Sequence, residues 1–180
     1  MSRGLGDVYK RQGYYYADST INGFSHTHLS GTGCGDYGDV LLMPTVGRQD
    51  YHAMGKKSQQ MAYASPFSHG REKAEPGYYS VFLDRYGVQA ELTSTKRAAI
   101  HRYTFPKSGK AGFILDLDYS LQRQKNEEMK LEVISDTEIR GHKKTVYWAF
   151  DQYINFYAKF SKPFTYTCLL YTSPSPRDTR

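Results

Sequence analysis

The sequence predicts an all-β fold, an antiparallel β-sandwich truncated at both ends, and three observations carry that reading. Apolar and polar residues alternate with a period of two in several short runs, turn residues separate those runs at close spacing, and only Gln122 to Met129 reads as helix or coil. The first run, Asp39 to Met43, is strand-like and is followed by Pro44. Tyr78 to Leu83 and Val88 to Thr95 are β-rich and flank Asp84-Arg85-Tyr86-Gly87, a hairpin loop with glycine at its end. Ala98 to Phe105 follows closely and stops at Pro106. Phe113, Leu115 and Leu117 oppose Asp116 and Asp118, which assigns the apolar set to an inner face. Leu131, Val133 and Ser135 form a further strand, expected to pair with Glu138 to His142 across Asp136 and Thr137. The clearest alternation runs from Ile154 to Ser161, predicting a central strand with Phe156 and Phe160 on its buried face.

The ends read differently from the middle. MSRGLGDVYKRQ and CLLYTSPSPRDTR look like translated sequencing-adapter sequence, an artefact of metagenomic assembly from short reads, and residues 1–12 have no apolar core of the kind a signal peptide needs. Residues 1–12 and 167–180 are therefore set aside, which leaves one domain over 13–166, partial at both ends; an ordinary disordered terminus is the alternative. The formal charge of +6 falls to +3 without the ends, which hold five of the 24 bases and two of the 18 acids. Between residues 13 and 47 there is no lysine or arginine, so this acidic stretch excludes a nucleic-acid or anionic-membrane face. No apolar run approaches the roughly 20 residues that span a bilayer.

Within that acidic stretch, Gly23 to Asp39 reads GFSHTHLSGTGCGDYGD and concentrates the chemistry-bearing residues. Glycines at 31, 33, 35 and 38 remove Cβ atoms where a backbone turns tightly or meets a ligand closely, so the backbone itself is expected to be a binding surface. Gly33 to Gly38 matches GxGxxG, but it precedes a strand instead of following one and opening a helix, which excludes a dinucleotide fingerprint. His26 and His28 share a face on an extended chain, and with Asp36 or Asp39 they would supply metal ligands, although no third ligand is identified by spacing. Cys34 with one of these histidines would make a nucleophile pair, but the flanking glycines give no reason for an activated thiol. A structural or sugar-contacting role for the histidines is favoured over both. His69 and His101 read as hydrogen-bonding residues on loop or strand surfaces.

Together with DVLLMPTVG (39–47), FSHGREKAEPGYYSVFL (67–83), AELTSTKRAAIHRYTFP (90–106) and FYAKFSKPF (156–164), in that order, this segment resembles the N-terminal domain of glycoside hydrolase family ninety-two, calcium-dependent exo-acting α-mannosidases. The resemblance implies a β-sandwich that packs against a helical barrel, with the acid, the base and the calcium ligands all in that barrel. It implies mannose-containing glycans, including N-glycans, as partner, hydrolysis with inversion, and a Gly-rich loop reaching the sugar. Substrate-binding residues are then His26, His28, Thr32, Gly33, Cys34, Gly35 and Asp36, with no catalytic or metal residue in the chain. Where Cys34 and Gly35 stand the family commonly has other residues, which bears on linkage specificity. The substrate class implies a periplasmic or extracellular location.

An inverting glycosidase needs two carboxyl groups about 6.5–9.5 Å apart. Asp36, Asp39, Glu72, Glu75 and Glu91 are the carboxylates available here, and spacing does not bring any two together. Two further readings stay open: a free-standing carbohydrate-binding module in which tyrosines and Trp148 stack on sugar rings, and a structural or interaction sandwich without sugar chemistry.

Overall fold

The computed structural model describes residues 16–27, 37–49, 61–107, 110–121, 125–148 and 150–167. Residues 1–12 and 168–180, and His28 and residues 32–36, lie outside the described residues. The fold is an antiparallel β-sandwich, with eleven strands among the described residues: β1 (Thr20–Ile21), β2 (Leu41–Val46), β3 (Ser65–Pro66), β4 (Glu72–Glu75), β5 (Tyr78–Leu83), β6 (Val88–Ser94), β7 (Ala99–Thr104), β8 (Ala111–Asp116), β9 (Lys125–Val133), β10 (Glu138–Val146) and β11 (Gln152–Lys159). The one helical piece among the described residues is a 3-10 turn, His69–Arg71, capped by Ser68.

Strands β4 to β7 form a meander in sequence order. Its hairpin β5–β6 turns at Asp84 to Gly87 as the sequence predicts, with Gly87 at φ +62. Against this sheet lies the pair β2–β8, and Leu41, Met43, Val81, Leu83, Val88, Ala90 and Ile114 close one apolar core with Tyr63, Phe67 and Tyr86. Each such buried aliphatic side chain contributes about 1.5–3 kcal/mol. β1 pairs with β3, and the last sheet has the order β11-β10-β9.

Pro44 lies within β2. The strand continues to Val46, because the Leu42 N–H on the same edge pairs with Phe24 and not with β8, so the N–H that proline lacks falls on the edge away from the β8 ladder. The phase of β8 differs from the expected one. Ile114 enters the core, while Phe113 turns the other way into a row of aromatic contacts running from Tyr103 (5.3 Å between centroids) and Phe105 (5.6 Å) through Phe113 to Phe160 (5.8 Å) and Phe164 (5.1 Å). Both faces of β8 are thus used, and Asp116 lies inward because its carboxylate takes the Tyr63 hydroxyl at 2.7 Å and the backbone N–H groups of Asp118 and Tyr119.

Two expectations for the last sheet are corrected. Lys125 to Met129 is strand and not helix or coil, since its charges find cross-strand partners: Glu127 with Lys144, and Glu128 with His142. Ile154 to Phe160 belongs to an edge strand and not a central one, because β10 pairs on both sides and β11 only with β10. Its Phe156 and Phe160 are half-buried, on the face that points inward. Gly141 sits between Leu131 and Phe156, where an added Cβ would meet the Phe156 ring at 2.7 Å and the Lys130 carbonyl at 2.5 Å.

This sheet is tied to the others by charge. Lys143 on β10 is fully buried and its Nζ lies 2.8 Å from Oδ1 of the equally buried Asp39, while donating to the Tyr119 carbonyl at 2.8 Å. Oδ2 of Asp39 accepts from Gln152 of β11 at 3.1 Å and from Thr27 at 3.0 Å. Removing one partner strands the other charge away from water, so Lys143→Met is expected to cost about 3–5 kcal/mol, and Asp39→Asn on top of it to recover part of that loss. Urea unfolding of the two variants against the parent chain measures both.

Candidate functional site

Four hydrogen bonds close the neck of the glycine-rich segment. The Thr27 hydroxyl donates to the Asp39 carboxylate and accepts from the Asp39 N–H at 2.8 Å, the Gly38 N–H donates to the Thr27 carbonyl at 3.1 Å, and the His26 N–H donates to the Asp39 carbonyl at 3.1 Å. Residues 26–27 and 38–39 are thereby fixed against each other. On the far side of the neck the backbone is strained: Tyr37 has φ 71, and Val40, β-branched and buried, has φ 54. Gly38, at φ +84, has no room for a side chain, since a Cβ would stand 2.7 Å from Leu121.

Of the residues the sequence assigns to substrate, His26 alone is described. Its ring is exposed at the neck, and Nδ1 lies 2.6 Å from the Val40 carbonyl oxygen. A carbonyl only accepts, so Nδ1 carries the proton. Beneath the ring lies His101 of β7, stacked at 4.9 Å between centroids with an 11° interplanar angle. Phe24 and Tyr103 meet His101 edge-on at 6.3 and 5.7 Å, and the Tyr103 hydroxyl is 2.7 Å from its Nδ1. Burial, with the neighbouring His26 adding to it, holds the His101 imidazole well below the ordinary value near 6.5, at about 4. Burial likewise pushes the Tyr103 phenol up.

The carboxylates are committed elsewhere. Asp39 is held by Lys143, Thr27 and Gln152, which leaves it unavailable as a metal ligand beside His26. Glu72 is bound by His69 at 2.5 Å and by the Tyr79 hydroxyl at 2.6 Å, Glu75 pairs with Lys73, and Glu91 is gripped by Arg102 and the Tyr78 hydroxyl, which hold its carboxyl down at about 2. A proton donor at neutral pH needs the opposite shift. Among the described residues no three His, Cys, Asp or Glu side chains converge as a metal-binding group.

Sequence reasoning missed His101, Thr27, Lys143 and Gln152 as parts of the site. Lys143 stands between His142 and Lys144 in a polar alternating strand, and nothing in one sequence separates an inward lysine from its outward neighbours. His101 carried a usable signal, because in β7 it shares its face with Tyr103 and not with Arg102.

Comparison with known proteins follows this geometry. Residues 5–178 match the model of the glycosyl hydrolase family 92 N-terminal domain. Among solved structures, the family GH92 α-mannosidase BT3965 from Bacteroides thetaiotaomicron is 38% identical, with a TM-score of 0.78 over 86% of this chain and 21% of that one. The same enzyme in complex with mannoimidazole gives the same identity and TM-score. The GH92 family glycosyl hydrolase ccman5 is 28% identical, with a TM-score of 0.60 over 82% of this chain and 20% of its own. An uncharacterized secreted glycosidase of Arthroderma benhamiae is 35% identical over 95 residues, 52% of this chain and 12% of that protein. The chain thus spans about a fifth of the length of the solved relatives.

The His101 shift fixes a pH dependence. The unfolded chain protonates this imidazole below about 6.5, whereas the folded chain resists until about 4, so unfolding takes up a proton in that window and stability falls as pH drops through it. Above pH 6.5 the term is fully favourable. Discounted for partial exposure, the loss is on the order of 2 kcal/mol. Thermal melts from pH 7.5 to 4 are expected to show a shallower decline for His101→Phe; an identical slope removes His101 as the cause.

Proposed function

The chain belongs to glycosyl hydrolase family 92, whose N-terminal domain it matches over residues 5–178, and from that membership we propose that it is the non-catalytic sandwich of an exo-acting α-mannosidase. In this reading it contributes the segment His26 to Asp36 to a pocket for a terminal mannose, with His26, His28, Thr32, Gly33, Cys34, Gly35 and Asp36 facing the sugar. The observation that carries it is the neck: an exposed imidazole with one nitrogen locked to the backbone stands beside a polar, glycine-rich segment whose two ends are bonded together. Sugar recognition uses such fixed donors and acceptors, because an ordered site loses less freedom on binding.

The acid and base of an inverting reaction are assigned to the part of the longer protein that follows, a helical barrel. What supports this is that the four described carboxylates weighed above each have a structural partner, and the Glu91 carboxyl is held down by Arg102 and Tyr78, opposite to what a neutral-pH proton donor needs. Calcium is assigned to the same barrel, as the family resemblance implies. The parent is proposed to act on mannose-containing glycans outside the cytoplasm, a location supported by the fungal relative being a secreted glycosidase.

One observation favours a second reading, a carbohydrate-binding module. Trp148, Phe150 and Tyr153 are 62%, 83% and 64% exposed around the β10–β11 turn, as stacking platforms for sugar rings are. Trp148 is the sole tryptophan, so its fluorescence reports on that turn alone. Under the mannosidase reading, titrating the 180-residue chain with methyl α-mannoside gives no saturable change in emission; a saturable change supports the module.

Two further outcomes are expected. With calcium present, the 180-residue chain releases no mannose from α-mannosides, and turnover abolished by Asp36→Asn would place a catalytic carboxylate here. In the longer protein, Asp36→Ala removes a charged acceptor that contributes about 1.5–3 kcal/mol and lowers kcat/KM by roughly ten- to a hundredfold. A folded Asp36→Ala enzyme with parental kcat/KM makes the loop scaffolding.

A further inference from the structure

We propose that His101 is the positioning residue for His26, holding its ring flat so that Nε2 is presented as a hydrogen-bond acceptor to a sugar hydroxyl. The inference deepens the mannosidase reading and rests on it for the identity of the ligand.

The geometry leaves His26 one free nitrogen. Nδ1 is fixed as a donor by the Val40 carbonyl at 2.6 Å, so in the neutral ring Nε2 carries the lone pair, and among the described residues it has no hydrogen-bond partner. A single hydrogen bond to the backbone leaves the ring free to swing about that contact. The 11° stack on His101 supplies the second constraint and defines the plane in which the Nε2 lone pair lies.

His101 is itself held from three directions, by the Phe24 edge, by the Tyr103 edge and hydroxyl, and by its place on β7, whose pairing with β6 sets it opposite Leu92. Phe24 is anchored in turn through two hydrogen bonds with Leu42 of β2. The support therefore runs from the meander and from β2 to the one exposed imidazole at the neck. Why a histidine and not another flat ring stands at 101 follows from the Tyr103 hydroxyl, which needs a polar partner where it is buried.

Two-bond nitrogen–proton correlation spectra of the nitrogen-labelled 180-residue chain read the tautomer directly, with His26 assigned by the signal lost in His26→Gln. The parent chain is expected to show His26 protonated on Nδ1. His101→Ala removes the stack and is expected to convert this to a mixture of tautomers, while His101→Phe, which keeps a flat ring, retains the Nδ1–H pattern. Should His101→Ala fail to fold, His101→Leu, which fills the space without a flat ring, takes its place with the same expectation. An unchanged Nδ1–H signature in the folded Ala or Leu variant overturns the proposal. In the longer enzyme the same variant is expected to raise KM for an α-mannoside by about three- to tenfold with kcat little changed. Tautomer mixing with an unchanged KM sustains the positioning of His26 and overturns its contact with sugar.

Discussion

Everything near the neck depends on one buried ion pair, Asp39 with Lys143. Two charges without exposure to water are stable only where each has close partners, and here the requirement is met by residues from distant parts of the chain: Thr27, Gln152 and the Tyr119 carbonyl. Asp39 at the neck is thereby tied to the three-stranded sheet, and not merely to the strand that follows it. Hydrogen bonds to the carboxylate constrain direction as well as distance, which an apolar contact at the same place would not.

The aromatic row performs a complementary task. Tyr103, Phe105, Phe113, Phe160 and Phe164 connect β7, β8 and the chain after β11 through offset and edge contacts, and His101 extends the row toward the neck. The polar clamp fixes the backbone of the neck, and the aromatic row supports its exposed ring through His101. Val40, with its strained φ, follows Asp39 of the clamp and offers its carbonyl to that ring.

How much of this was legible in the sequence depended on where the determining forces act. The β5–β6 hairpin was legible because its signal is local: β-rich runs, four turn residues, and a glycine where φ is positive. The phase of β8 was not, since a strand covered on both faces gives no simple alternation, and an aspartate bound by Tyr63 can face inward. Lys125 to Met129 misled for the converse reason, because charges answered across a ladder look helical or unstructured in one dimension. Edge and central strands share the period of two, so the alternation in β11 could not report its neighbours. At the site, the sequence located the segment and His26 but not the clamp, whose members are up to 113 residues apart.

The charged pattern of β9 has a meaning beyond its pairing with β10. This strand lies at the margin of its sheet, with a row of backbone groups open to any extended chain that approaches. Five of its nine residues, Lys125, Glu127, Glu128, Lys130 and Glu132, are charged. A stray strand adding to that margin would have to strip water from these side chains and break ion pairs already made with β10. Met129 and Leu131, both substantially exposed, would otherwise invite such an encounter. The composition that disguised β9 as helix or coil is of the kind that keeps sheet margins from pairing edge to edge.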